Sequence, residues 1–367
     1  MNSTIQDFRE FINNNKKYIY NVYSNKNGRD QWSCICACMN WIELAIDYIS
    51  NLDSNEGNIN EMSMRMYSYI SAIDIVWESV QQLHRVIVNA NKDTMPFNEE
   101  ISIFENKLNL NDNEYFKHLR AVFGAHPINI KNKQTKSKRA DYFANWPNID
   151  RFGEYDFVST LWSADTEAED MRIGFKFEQL EKFLNSRYNY ILELKERLNK
   201  EIEIHYNNMR EIKIKSSNDI KVQLYILRDE LDKRLKDDDY QFIVDKLISF
   251  FEAKDRINCN QYIIETYLNN MVKLVDELKT NIQDMNFIKL KNEYIVNLDY
   301  PQDIHYNLSK VHDYYYNYEK NIDNYNFYIK PIAEFLKDYI DINYDMDYYE
   351  CKLSINAGLF EYWRKNK

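Results

Sequence analysis

Arg120 and His126 are the two residues whose types and spacing are best suited to chemistry in this sequence. They lie within NEYFKHLRAVFGAHPINI, residues 113–130, and five residues separate them. A histidine changes its protonation state near neutral pH, so it can remove or supply a proton. An arginine carries a permanent charge on a planar fork that matches phosphate oxygens. The pair could therefore support phosphate chemistry without a metal ion.

The residues that follow Arg120 predict that a helix ends between the two side chains. The apolar pattern indicates a short helix from about Asp112 to Gly124. Glycine commonly terminates helices, and Pro127 disfavours helical geometry at His126. On an unbroken α-helix, side chains six positions apart diverge by about 120°. A helix that ends before His126 would let the histidine turn back toward Arg120.

A basic run follows the motif directly. The segment KNKQTKSKR, residues 131–139, contains no acidic residue and five basic ones: Lys131, Lys133, Lys136, Lys138 and Arg139. Because the whole chain has a formal net charge of −11, this local concentration of positive charge predicts a phosphate-attracting patch. A flexible, solvated loop would have the same composition, and it stays open as the alternative.

Two acidic residues on an earlier segment are candidates to orient the motif. Asp74 and Glu78 lie one turn apart within residues 60–90, where apolar residues recur at helical spacing. A carboxylate buried on this helix could hold Arg120 or His126 in place. Exposure of both carboxylates to solvent is the alternative.

The arginine–histidine arrangement resembles the R-x4-6-H motif of the HEPN superfamily, a group of helical-bundle proteins found in prokaryotic toxins, CRISPR-associated ribonucleases and phage-defence systems. The likeness covers the motif and an N-terminal helical region of about 215 residues. It implies a metal-independent endoribonuclease, in which His126 deprotonates a ribose 2′-hydroxyl and Arg120 stabilises charge at phosphorus. It also implies a homodimer that acts on RNA, with an antitoxin or another regulatory protein as a further partner.

Two positions depart from the family pattern. Ala121 stands where members often have a polar residue directly after the arginine, and Ile128 stands where some toxins have a tyrosine that a partner enzyme modifies. Spacing of this kind also arises by chance in a chain of this composition. A non-catalytic nucleotide- or RNA-binding module and a helical scaffold with an incidental motif are therefore alternative functions.

The composition predicts a mainly α protein that must position these residues with helices. The chain has 367 residues, 44% of them hydrophobic, yet only 6 glycines and 5 prolines. An all-β or doubly wound α/β protein of this length needs many more turn residues. Long amphipathic segments occupy most of the chain, and no repeat of 20–50 residues indicates a solenoid. They predict helices over residues 3–23 and 238–254, among others, and Asp219 could start a further helix.

One segment between the helices has strand character. YDFVSTLWS (155–163) and MRIGFKF (171–177) predict a β-hairpin, inserted about residues 155–177 rather than part of a larger sheet. We predict a helical-bundle domain over residues 1–215 that contains this hairpin. A linker at Ser216–Asn218 would lead to a second all-helical domain, 216–367, whose role the sequence does not indicate.

The remaining features exclude several classes of protein. The net charge argues against a protein that coats nucleic acid over its whole surface. The absence of an apolar run of membrane-spanning length, or of a signal-like N-terminus, predicts a cytoplasmic protein without a membrane partner. Cys34, Cys36 and Cys38 fall on a predicted helix with no histidine nearby, so buried thiols are favoured over a metal or redox site. We expect no metal and no cofactor.

Overall fold

The computed structural model describes residues 2–52, 58–88, 95–105, 110–125, 142–167, 169–315, 322–344 and 346–366. Within these residues the chain forms twelve α-helices and one four-stranded antiparallel sheet, which confirms the mainly α fold predicted from the sequence. The chain divides into two compact units, Met1–Ile202 and Glu203–Lys367. The division falls within one continuous helix, ahead of the predicted linker at Ser216–Asn218.

Helices make up most of the first unit. Its core lies between the long helices α4 and α6, where Ile70, Ile73 and Trp77 of the first and Phe183 and Leu184 of the second are almost fully buried. The helices are α1 (Asn2–Asn14), α2 (Lys16–Tyr23), α3 (Gln31–Ser50), α4 (Ile59–Val88), α5 (Asp112–Arg120) and α6 (Phe177–Glu211), the last of which continues into the second unit.

The predicted helix over residues 3–23 is wrong in one respect, because the chain forms two helices there. The break lies at Asn15, whose side-chain amide donates to the carbonyl oxygen of Phe11 at 2.9 Å. Asparagine competes with the helix for backbone partners and so favours helix ends. The apolar residues Ile12 and Ile19 are fully buried on either side of the break, which explains why periodicity alone indicated a single helix.

The predicted hairpin is present, but the sheet is larger than predicted. Its strands are β1 (Tyr142–Ala144), β2 (Asn148–Ile149), β3 (Phe157–Ser163) and β4 (Met171–Phe175). β3 pairs with β4, as expected, and also with β1 and β2, so it is the strand that joins the whole sheet. Strands of three and two residues are too short to produce an alternating pattern in the sequence.

The second unit consists of helices around its own apolar core. Asp219 begins its first helix, as the sequence predicted, by accepting hydrogen bonds from the backbone N–H groups of Lys221 (2.8 Å) and Val222 (3.2 Å). Such capping satisfies donors that have no partner within the helix. The helices are α7 (Ile220–Arg234), α8 (Asp238–Lys254), α9 (Gln261–Gln283), α10 (Gln302–Tyr315), α11 (Ile322–Leu336) and α12 (Tyr348–Asn366), with a 3₁₀ turn at Glu293–Ile295.

Candidate functional site

Helix α5, which carries Arg120, begins in a network of buried polar groups. Asn111 caps the helix by accepting from the N–H of Glu114 at 2.9 Å. The fully buried carboxylate of Asp112 accepts from the N–H groups of Ile103 and Phe104 at 3.1 and 3.0 Å. A carboxylate in the first turn also interacts favourably with the helix dipole. These bonds fix the position from which α5 starts.

A buried arginine of α6 holds the same end of α5. Arg187 donates to Oδ1 of Asn113 at 2.9 Å and to Oε2 of Glu100 at 2.6 Å. Its guanidinium also lies 4.1 Å from the ring centre of Phe183 and 4.4 Å from that of Phe97. Burial lowers the pKa of Arg187, while the charge of Glu100 raises it. The sequence did not indicate this residue, since charged residues on long helices are usually exposed.

Arg120, the last residue of α5, forms an ion pair with Asp74 of α4. The guanidinium Nε lies 2.8 Å from Oδ2 of Asp74, and the two side chains are 47% and 11% exposed. Within the described residues, Arg120 makes no other polar contact to protein, and nearly half of its side chain is exposed. The carboxylate thus fixes the orientation of the guanidinium through Nε, and the ion pair uses neither of the two terminal nitrogens.

The electrostatic surroundings of Asp74 combine opposing effects. Burial raises the pKa of the Asp74 carboxyl above its ordinary value, and the charge of Arg120 lowers it. Glu78, one turn further along α4, raises that pKa, and Lys117 lowers it. Of the two candidate acids, Asp74 is therefore the one in contact with the motif arginine, and Glu78 acts on it through its charge.

The segment after Arg120 continues as a π-helical turn over Ala121–Ala125 rather than ending at Gly124. Gly124 does not adopt the left-handed conformation of a helix-terminating glycine; Gly28 and Gly153 are the described glycines with positive φ. A Cβ atom at Gly124 would lie 3.5 Å from the ring of Tyr67 on α4. π-helical turns are wider than α-helical ones and often occur at functional sites. The wider turn carries the chain from Arg120 to the residue before His126.

The other predicted site residues lie outside the described residues. They are His126, Lys131, Lys133, Lys136, Lys138 and Arg139. The proximity of His126 to Arg120 and the phosphate-attracting patch therefore stay predictions.

The sheet packs against the elements that carry Arg120 and Asp74. Tyr115 of α5 donates its hydroxyl to the carbonyl oxygen of Gly174 at 2.9 Å. Phe123 of the π-helical turn packs edge-on against Phe175, with ring centres 5.1 Å apart. At the start of α4, the hydroxyl of Ser63 lies 3.1 Å from the carbonyl oxygen of Pro147. The inserted sheet is thereby tied to both helices of the Arg120–Asp74 pair.

The cysteine run of α3 consists of free thiols. Cys38 is buried, and Cys34 and Cys36 are half-buried. The pKa of the Cys38 thiol is raised to about 12, mainly by burial and secondly by the neighbouring Cys34. The thiol is therefore protonated at neutral pH. Among the described residues, no three histidine, cysteine or acidic side chains are grouped closely enough to hold a metal ion.

In the part of the chain that the structure describes, none of the helices combines the length and apolar character needed to cross a membrane. In comparisons with known proteins, no protein-family model, no curated protein and no solved structure matches the chain.

Proposed function

We propose that this protein is a metal-independent endoribonuclease of HEPN type, a toxin or phage-defence effector that cleaves RNA. The observation that carries the proposal is the Arg120–Asp74 pair, which anchors the guanidinium through Nε and uses neither of its terminal nitrogens. An arginine held in this way can bind a phosphodiester through two nitrogens. Its position at the end of α5, six residues before a histidine, is what the motif requires.

The reaction needs only the two motif side chains. His126 removes the proton of a ribose 2′-hydroxyl, the 2′-oxygen forms a bond to phosphorus as the P–O5′ bond breaks, and the leaving 5′-oxygen takes a proton from water. The products are a 2′,3′-cyclic phosphate and a 5′-hydroxyl. Arg120 stabilises the additional negative charge on the phosphorane-like transition state, which the ground state lacks. Asp74 acts as a positioning residue, since it contacts Arg120 rather than the RNA.

A homodimer is part of the proposal, and exposed apolar residues of α3 support it. Trp41, Leu44 and Tyr48 lie at spacings of three and four, on one face of the helix, and are 53%, 58% and 39% exposed. Exposed apolar groups that are clustered in this way mark protein contacts. We infer that this face of α3 meets a second copy of the chain.

Cleavage in the presence of EDTA tests the proposal. Wild-type protein should cut a single-stranded RNA and leave ends that resist phosphatase until acid opens the cyclic phosphate. His126→Ala and Arg120→Ala should each lower the rate at least 100-fold, because each removes a group that acts in the transition state. Arg228→Ala is the matched control, since Arg228 is also an exposed arginine facing an aspartate, Asp245, at 4.0 Å.

Two results would contradict the proposal. Cleavage that stops in EDTA would point to a metal-dependent reaction, and unchanged cleavage in Arg120→Ala would remove the motif from the mechanism. If wild type and His126→Ala bind RNA equally and cut none, the chain is a non-catalytic binding module. Ala121, which stands where family members often have a polar residue, favours this second candidate over catalysis.

A further inference from the structure

The outward face of the sheet carries two large aromatic rings side by side. Leu161 of β3 is buried, whereas its neighbour Trp162 points the other way and is 49% exposed. Phe143 of β1 lies opposite Trp162 in the strand register and is 42% exposed. Residues paired across antiparallel strands share a face, so the two rings form one exposed apolar surface.

The same face continues across the sheet to a third ring. Thr160, two residues before Trp162 and therefore on the same side of β3, lies opposite Arg172 of β4. The guanidinium carbon of Arg172 lies 5.0 Å from the ring centre of Phe152, which is 85% exposed. Two residue steps along β3 and two spacings between strands give this face a length of about 12 Å.

The charge around this face is acidic. Residues 142–175 contain seven acidic and two basic residues, so the net charge of the segment is −5. Arg172, one of the two basic residues, forms ion pairs with Asp150 and, at 3.6 Å, with Glu154. Its positive charge is therefore already matched within the sheet.

Most of the unmatched acids lie in the turn that joins β3 to β4. Four of them are exposed there: Asp165, Glu167, Glu169 and Asp170. Asp170 accepts a hydrogen bond from the backbone N–H of Ser163 at 3.0 Å. Because Ser163 directly follows Trp162, this bond holds the acidic turn beside the exposed rings.

Aromatic rings bordered by carboxylates suit a segment that carries several separate cations. Among the described residues, no three acidic side chains are grouped closely enough to hold a metal ion, so the negative charge is spread over the face. Lysine and arginine pair with carboxylates and also place their cations over aromatic rings. In an extended segment alternate side chains face the same way, and four residues span about 13 Å.

The same charges oppose two other occupants. A negative surface repels phosphates, so a nucleic acid is disfavoured on this face. A second copy of the chain, bound here by two-fold symmetry, would bring one acidic face against another. A cationic segment of a different protein is the occupant that the charges favour.

We propose that the outward face of the sheet, with Phe143, Trp162 and Phe152 and the acids of the β3–β4 turn, binds an extended, Lys/Arg-rich segment of a partner protein. The rings receive the cations and the apolar stems of these side chains, and the carboxylates supply the opposite charge. The inference does not rest on the proposed ribonuclease function, because none of these residues belongs to the Arg120–His126 motif.

A cationic peptide of defined sequence tests this inference on the full-length protein. The probe is a fluorescein-labelled (Arg-Gly)5 peptide, whose cations occupy alternate positions, and (Glu-Gly)5 is its sign-reversed counterpart. Fluorescence anisotropy at about 0.1 M salt, where charges within roughly 10 Å still interact, should show binding of the first peptide and none of the second. Phe143→Ala with Trp162→Ala should weaken binding at least fivefold, because the rings are lost. Trp162→Phe keeps a ring and should bind within about threefold of wild type.

Charge reversal in the acidic turn has a matched control on α6. Glu167→Lys with Glu169→Lys should weaken binding at least tenfold, because the carboxylates that attract the cations become cations themselves. Glu193→Lys with Glu196→Lys makes the same change of charge at two exposed positions of the first unit, and it should leave the affinity within about twofold of wild type. Circular dichroism checks that each variant is folded, as the exposure of all four glutamates predicts.

Three outcomes would overturn the inference: no binding of (Arg-Gly)5 to wild type, unchanged affinity in Phe143→Ala/Trp162→Ala, or an equal loss in Glu193→Lys/Glu196→Lys. If the aromatic double variant lowers the oligomer mass in ultracentrifugation and leaves peptide binding unchanged, the face is an interface between copies of the chain. If it weakens the binding of a single-stranded RNA instead, the face is a nucleic-acid site. RNA cleavage should keep its wild-type rate in the aromatic and the acidic-turn variants, so a failure of this inference and a failure of the proposed function are separate results.

Discussion

Arg120 is held by Asp74 through one nitrogen, and the ion pair leaves its other two nitrogens uninvolved. The nitrogen it uses is Nε, at 2.8 Å from Asp74, so the pair costs the protein none of the fork that recognises phosphate. The arrangement also leaves the partly buried Asp74 carboxylate dependent mainly on the charge of Arg120. Asp74 positions Arg120, and the charge of Arg120 in turn stabilises the ionised carboxylate of Asp74.

We expect the loss of Arg120 to make Asp74 a source of instability at neutral pH. Burial already raises the Asp74 pKa, and Arg120 opposes that rise, so Arg120→Ala should raise the pKa further. The folded state then binds more protons than the unfolded state between the ordinary aspartate pKa and the raised one. Stability therefore falls as pH increases through that window.

Urea denaturation at pH 4 and pH 7 measures this effect. The destabilisation by Arg120→Ala should be larger at pH 7 than at pH 4, and Asp74→Asn in the same background should recover most of it. A loss of equal size at both pH values would mean that Arg120 stabilises the fold through packing rather than through charge.

Helix α5 is positioned at its beginning, by buried groups that lie two turns away from the motif arginine. Arg187 is the centre of that network, since it bonds both Asn113 of α5 and Glu100 of the preceding loop. Removing one partner of a buried charged pair leaves the other without compensation. The element that carries Arg120 thus depends on a residue of α6.

We predict that Arg187→Met lowers the free energy of unfolding by about 3 kcal/mol, because buried partners lose their donor. Arg197→Met, at an exposed position of the same helix, should change it by less than about 0.5 kcal/mol. Guanidinium denaturation of both variants provides the comparison. Equal effects would show that the loss reflects helix propensity rather than the network.

Two glycines should respond oppositely to substitution by alanine. Gly124 does not have a positive φ, and a Cβ atom there would lie 3.5 Å from Tyr67, an ordinary contact distance, so Gly124→Ala should be neutral or stabilising by about 0.5 kcal/mol. Gly153 has φ +76°, so Gly153→Ala should cost about 1 kcal/mol even though nothing lies near its Cβ position. Thermal unfolding distinguishes them; a large loss at Gly124 would mean that the π-helical turn requires glycine.

Sequence periodicity predicted the elements well where they were long and amphipathic. Helix α8 was predicted at its observed bounds, 238–254, because its apolar residues recur at one spacing throughout. Strands β1 and β2 were not predicted, because two or three residues are too few to show an alternating apolar pattern. The sequence offered two candidate acids, Asp74 and Glu78, one turn apart on the same helix. Only the packing of α4 against α5 shows that Asp74 is the one in contact with Arg120. From the sequence alone, Arg187 would be placed on a solvent-exposed face of its helix. Its burial depends on α5 and the preceding loop, which supply its partners Asn113 and Glu100.

The molecule as a whole is acidic, so any attraction for RNA must be local. A net charge of −11 repels a polyanion at distance, and the basic residues near the motif act within about 10 Å at 0.1 M salt. RNA binding should therefore depend on where the strand lies rather than on total charge. A second copy of the chain would bring a second basic run to the same assembly.

We predict that the protein is a dimer whose interface includes α3. Leu44→Arg places a charge on the exposed apolar face and should weaken self-association at least tenfold, since burying an unpaired charge is costly. Leu192→Arg, at an exposed leucine of α6 (43% exposed), is the matched control. Sedimentation velocity over a range of concentrations gives the answer; a wild-type monomer at every concentration would contradict the dimer.

The π-helical turn at Ala121–Ala125 has a consequence for how this chain tolerates changes in length. Such a turn is equivalent to an α-helix that has gained one residue. Deletion of one residue there would restore an ordinary α-helical turn, without a rotation of the helix that precedes it. The number of residues between Arg120 and His126 can therefore change by one, through an insertion or a deletion, while α5 and its ion pair stay unchanged.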